Sequence, residues 1–109
     1  MKVQYFDLKN KRALISGGAS GIGSSIVEHL CEQGVEVYFF DINKKEAQKT
    51  LNRIKKKKFK IPIFIECNIQ KIKKYKKLIL NIIKRKGPID ILVNNASNDQ
   101  RHSLEQITE

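Results

Sequence analysis

A chain of 109 residues has room for at most one small domain. With 40% apolar and 30% charged residues it reads as a globular fold. No apolar run approaches the roughly 18 residues of a membrane span, and Met1-Lys2-Val3-Gln4-Tyr5-Phe6-Asp7 lacks the apolar core of a signal peptide. The net charge of +11 raises nucleic acid as a partner, with lysines crowding residues 44–86 and the run Lys55-Lys56-Lys57-Lys58. Nucleic-acid surfaces pair such cations with stacking aromatics or a groove-reading element, which these segments lack. The expectation is weak, salt-sensitive sticking, with no specific nucleic-acid partner and no membrane partner. Cys31 and Cys67 show neither C-x-x-C spacing nor metal-ligand companions, so free thiols in a reducing cytoplasm are expected, with no metal site.

In chain order, a first strand is expected over 11–16. It runs into Ser16-Gly17-Gly18-Ala19-Ser20-Gly21-Ile22-Gly23, and an amphipathic helix follows over 21–33. Glycines at this junction let backbone N–H groups approach an anion, and the helix dipole points its positive end at the same place. The spacing is G-x-x-x-G-x-G, not the common G-x-G-x-x-G. A P-loop is excluded because Ser24 stands where its lysine must be. The plain alternative is a helix-capping loop with incidental glycines.

Val35 to Phe40 reads as a second strand, β-branched and aromatic, ending at Asp41. A carboxylate about 20 residues past the glycine turn can accept hydrogen bonds from adenosine ribose hydroxyls. Its charge repels a 2′-phosphate, which favours NAD over NADP, although Lys44 and Lys45 lie close by. Asp41 could instead only cap the following helix, over 43–57. Asn43 is the better cap, since Glu46 completes a capping box. A third strand is expected over 61–66, with Pro62 marking a sheet edge. A third helix over 70–86 carries Ile72, Tyr75, Ile79, Ile82 and Ile83 on one face, and Gly87-Pro88 ends it. A fourth strand, 89–93, is apolar but for Asp90, as one buried on both faces should largely be. Ser103-Leu104-Glu105-Gln106 then opens another helix.

These motifs resemble the short-chain dehydrogenase/reductase family. Ser16-Gly17-x-x-x-Gly21-Ile22-Gly23 is similar to its Thr-Gly-x-x-x-Gly-Ile-Gly, and Asp41 matches the acid of its NAD-preferring members. Cys67-Asn68-Ile69 sits where the family often has an adenine-reading Asp-Val or Asp-Leu. Asn94-Asn95-Ala96-Ser97 resembles its Asn-Asn-Ala-Gly turn, with serine for glycine. Asn98-Asp99-Gln100-Arg101-His102 is similar to a subgroup that includes sugar and polyol dehydrogenases.

The resemblance implies an α/β fold, a Rossmann-like doubly wound parallel sheet in the order 3-2-1-4. It implies cofactor contacts from Gly17, Ser20, Gly21, Ile22, Gly23, Asp41, Asn68, Ile69, Asn95 and Ala96. The family's catalytic serine and Tyr-x-x-x-Lys lie beyond the Asn-Asn-Ala-Gly turn, so no catalytic residue is expected in this chain. Tyr5 with Lys9 fits the spacing but precedes the first strand, and Tyr75 has Ile79 where lysine is required. Residues 1–109 are accordingly expected to form a partial NAD(P)-binding domain truncated after the fourth strand. An alcohol or ketone substrate would enter only if the missing half were supplied. The competing expectation is a nucleotide-binding or interaction module that self-associates through the bare edge of the fourth strand.

Overall fold

The computed structural model describes residues 7–95. Strands and helices alternate: β1 (Arg12–Ser16), α1 (Gly21–Glu32), β2 (Glu36–Asp41), α2 (Lys44–Lys56), β3 (Ile63–Glu66), α3 (Ile72–Lys86) and β4 (Ile91–Asn94). The four strands make one parallel sheet in the order β3-β2-β1-β4, the expected doubly wound order. In register, Ile15 of β1 lies between Phe39 of β2 and Val93 of β4.

Side chains alternate across a strand, and the continuous apolar runs of β1 and β2 therefore feed both faces of the sheet. Ala13, Ile15, Val37 and Phe39 pack with Val27 and Cys31 of α1 and with Ala47 and Ile54 of α2. Leu14, Tyr38 and Phe40 pack on the other face with Tyr75, Ile79 and Ile82 of α3. Phe39 stacks at a tilt on Phe64, and Phe40 meets Tyr75 edge to face with ring centroids 5.0 Å apart. Each such fully buried side chain stabilises the fold by roughly 1.5–3 kcal/mol. Ile83 joins the second cluster at its margin, while Ile72, expected in the core, stays partly exposed.

The outer strands are less covered. Ile63 in β3 and Leu92 in β4 are 44% and 39% exposed. So β4, apolar as it is, is not buried on both faces among the described residues. Both edge strands are also shorter than their apolar runs suggest. β3 starts after Pro62, which has no N–H for a ladder. Before β4, Asp90 pairs with Arg12 in two ways: its N–H donates to the Arg12 carbonyl, and its Oδ2 accepts the Arg12 N–H. Helix α3 starts two residues later than expected, because Asn68 forms a local turn. Its Oδ1 accepts the Gln70 N–H and its carbonyl accepts the Lys71 N–H. Among the described residues no helix is long and apolar enough to cross a membrane.

Candidate functional site

Parallel strands end on one side of a sheet, and the glycine turn sits there between β1 and α1, next to the point where strand order reverses from β1 to β4. The turn is held from three directions. From β2, the Phe40 carbonyl accepts the Gly17 N–H at 2.8 Å, and Asp41 Oδ2 accepts the Ala19 N–H at 3.1 Å. From α2, the buried Thr50 hydroxyl donates to the Ala19 carbonyl at 2.8 Å. From the end of β4, Asn95 donates its N–H to the Ser16 carbonyl and its Nδ2 to the Gly17 carbonyl. The Ser16 hydroxyl donates in turn to Asn94 Oδ1.

What this clamping leaves is an open helix start. Ser20 is the N-cap residue of α1, in extended backbone, and its side chain makes no capping bond. The first turn of α1 has no acidic residue. Its leading N–H groups have no intrahelical acceptors, and the dipole favours negative charge there. Gly21 has φ +59°, and a Cβ placed on it would meet no atom within 4 Å. Among the described residues nothing occupies the space that a side chain there would fill. Gly23 faces inward instead: a Cβ there would lie 1.9 Å from the Gly17 carbonyl oxygen and 2.6 Å from Asn95 Nδ2. That glycine permits helix and turn to pack closely. A phosphate-bearing ligand fits such a site on charge, donors and space.

Of the sequence-predicted site residues, Gly17, Ser20, Gly21, Ile22, Gly23, Asp41 and Asn95 converge at this end. Ile22 is 74% exposed, an apolar side chain in the open beside the amides. Asp41 does more than the sequence suggested. Its Oδ2 holds Ala19 while its Oδ1 accepts the Asn43 N–H at 2.9 Å. A carboxylate has about four acceptor positions, so two remain beyond these bonds. The capping box at α2 closes by half: Asn43 Oδ1 accepts the Glu46 N–H, but the Asn43 N–H goes to Asp41. Asn68 keeps its Oδ1 on Gln70, and Ile69 packs against the core on the α3 side of the sheet. Ala96 lies outside the described residues, as do Tyr5, Ser97, Arg101, His102 and the helix expected from Ser103.

Two contributors were not identified from sequence. Thr50 and the Ser16–Asn94 pair act across 31 and 78 residues respectively. The signal for Thr50 was present, since it falls on the buried stripe Ala47, Thr50, Ile54 of an otherwise lysine-rich helix. Tyr75 of α3 is buried against β2, and burial pushes the pKa of its hydroxyl up to about 12. Burial likewise pushes the Cys31 thiol up to about 12 and raises that of Cys67. No cluster of metal-ligating side chains occurs among the described residues.

The sequence profile described as short chain dehydrogenase matches residues 11–109. The chain belongs to the short-chain dehydrogenase family. D-xylose 1-dehydrogenase of Caulobacter vibrioides is 35% identical over 104 residues, spanning 95% of this chain and 40% of that protein. The structure of a betaketoacyl-[ACP] reductase from Bacteroides thetaiotaomicron superposes with a TM-score of 0.75 at 30% identity, covering 82% of this chain and 43% of that one. An NADH-dependent reductase solved in complex with NAD superposes with a TM-score of 0.71 at 28% identity, covering 84% and 38%. The short-chain dehydrogenases are oxidoreductases that bind nicotinamide cofactors, and this chain spans about 40% of the length of the relatives it matches.

Proposed function

We propose that this chain binds NAD as the nucleotide-binding portion of a short-chain dehydrogenase. In this reading, the amides from Ser20 to Gly23 hold the pyrophosphate, and Gly17, its own N–H held by Phe40, shapes the turn beneath it. Asp41, with Asn68 and Ile69, holds the adenosine half, and Asn95 borders the site on the β4 side. Asp41 carries the reading: its carboxylate stands at the tip of β2, 3.1 Å from the Ala19 amide, so its negative charge flanks the uncapped helix start. A 2′-phosphate placed there would meet that charge, which favours NAD over NADP despite the nearby exposed Lys44 and Lys45.

The reading is one of cofactor binding, and it assigns none of residues 7–95 a part in hydride transfer. The chain's two free, buried cysteines accord with a reducing compartment such as the cytoplasm. Titration calorimetry of the chain with NAD and with NADP tests the reading. NAD should bind at least about tenfold more tightly. Equal or tighter binding of NADP removes the role given to Asp41, and absence of binding at millimolar NAD removes the cofactor site.

A second reading, a module completed by self-association, is supported by the edge of β4, which among the described residues pairs only with β1 and exposes Leu92. Sedimentation decides it: a discrete dimer supports the module, and a monomer at high concentration rejects it.

A further inference from the structure

We propose that Thr50, working with Asp41, is a positioning residue of the glycine turn, aiming the Ser20 amide at the ligand. The proposal rests on the anion-binding reading of that turn. A helical threonine ordinarily satisfies its hydroxyl on the carbonyl three or four residues back in its own helix. Thr50 does not. Its hydroxyl, on a residue only 1% exposed, reaches the Ala19 carbonyl across 31 residues of sequence. A buried hydroxyl without a partner is unfavourable, so this bond is the condition for keeping a polar group on the stripe between Ala47 and Ile54.

The consequence follows from peptide geometry. A trans peptide is rigid and planar, and its C=O and N–H point in opposite directions. When Thr50 holds the Ala19 carbonyl toward α2, the Ser20 N–H of the same peptide unit must point away from α2, toward the exposed side of the turn. Asp41 acts on the preceding unit, drawing the Ala19 N–H toward β2. Two consecutive peptide planes are thus set by side chains of two different elements, with the first amide engaged internally and the second turned outward. Nothing at Ser20 itself supplies this orientation, since its side chain makes no capping bond.

Thr50→Val removes the hydroxyl at nearly constant volume, and Thr50→Ser keeps it. Ile54→Val trims the same buried stripe without touching the turn. By calorimetry, Thr50→Val should weaken NAD about fivefold to tenfold, while Thr50→Ser stays within about twofold of the parent. Ile54→Val should lower the urea midpoint yet leave affinity within about twofold. Parent-like NAD affinity in Thr50→Val overturns the proposal, as does an equal loss of affinity in Ile54→Val. Should the parent chain fail to bind NAD, hydrogen exchange at the Ser20 amide, referenced to amides of β1, gives a separate readout. Exchange altered in Thr50→Val and restored in Thr50→Ser supports the positioning role, and unaltered exchange overturns it whatever ligand the turn accepts.

Discussion

Helices α1 and α2 cover the same face of the sheet and start at the same end of it, but their first turns are built in opposite ways. At α2, Asn43 accepts the Glu46 N–H at 3.0 Å, Asp41 accepts the Asn43 N–H, and Glu46 puts a negative charge into the first turn. At α1 there is no side-chain cap and no acid. A missing cap typically costs about 1 kcal/mol. The α1 start therefore forgoes stability that its neighbour has, while the residues around it are clamped by β2, α2 and β4. An open helix start inside a rigid surround suits the phosphate-bearing ligand proposed for it, whereas at the start of α2 the Asn43 and Glu46 N–H groups are satisfied within the fold.

That contrast can be broken most forcefully at Gly23. Gly23→Ala places a Cβ against the Gly17 carbonyl, which is backbone and can yield only if the turn moves. The expected loss is about 2–3 kcal/mol of unfolding free energy in urea, together with loss of NAD binding. A Gly23→Ala chain with parent stability would show that helix and turn are not in fact tightly apposed. Removing the α2 cap is the complementary change. Asn43→Ala should cost about 1 kcal/mol and leave NAD affinity within about twofold. A tenfold loss of affinity there would mean that both helix starts serve the ligand. Ser20→Asp runs the contrast in reverse, giving α1 the cap and charge it lacks. It should raise stability by about 0.5 kcal/mol while weakening NAD at least fivefold, since the new carboxylate takes the ligand's place. Gain of stability with unchanged affinity would place the ligand elsewhere.

The difference between the two helix starts was partly legible in the residues. The Asn43 cap and the glycine spacing are local patterns, the alternation of apolar strands with amphipathic helices points to a parallel sheet, and the order β3-β2-β1-β4 is what the family resemblance implies. Asp41 was found because it too lies at a fixed distance along the chain from the glycines. Its second bond, to the Asn43 N–H, was not foreseen, because a capping box assigns that amide to Glu46. Strand ends at Pro62 and Asp90 moved for a related reason: apolar character marks what is buried, whereas ladder pairing also needs an N–H and a neighbour. The surroundings of Asn68 and Ile69 are not legible in motif position. One is drawn into a local turn and the other into the α3-side core, by contacts that spacing does not encode. Thr50 was hardest, since its partner lies in a different element and its helix is dominated by exposed lysines.

The smallest effect concerns how α1 and α2 are tied beyond their starts. Glu28 of α1 accepts hydrogen bonds from Lys57 and Arg53, at the C-terminal end of α2. These two bonds, Lys57 foremost, lower the Glu28 pKa below its ordinary value of 4.5. A carboxylate whose folded pKa is depressed adds stability that is fully present above its unfolded pKa and is lost as pH falls through the folded one. The gap in unfolding free energy between the parent chain and Glu28→Gln should therefore be constant above about pH 5 and close progressively below it. Because Arg53 and Lys57 are nearly half exposed, solvent screens the attraction, and the gap should be only about 0.2–1 kcal/mol. It should shrink further in about 0.5 M salt. A gap that persists unchanged at low pH would show that Glu28 joins the helices through packing of its methylenes and not through its charge.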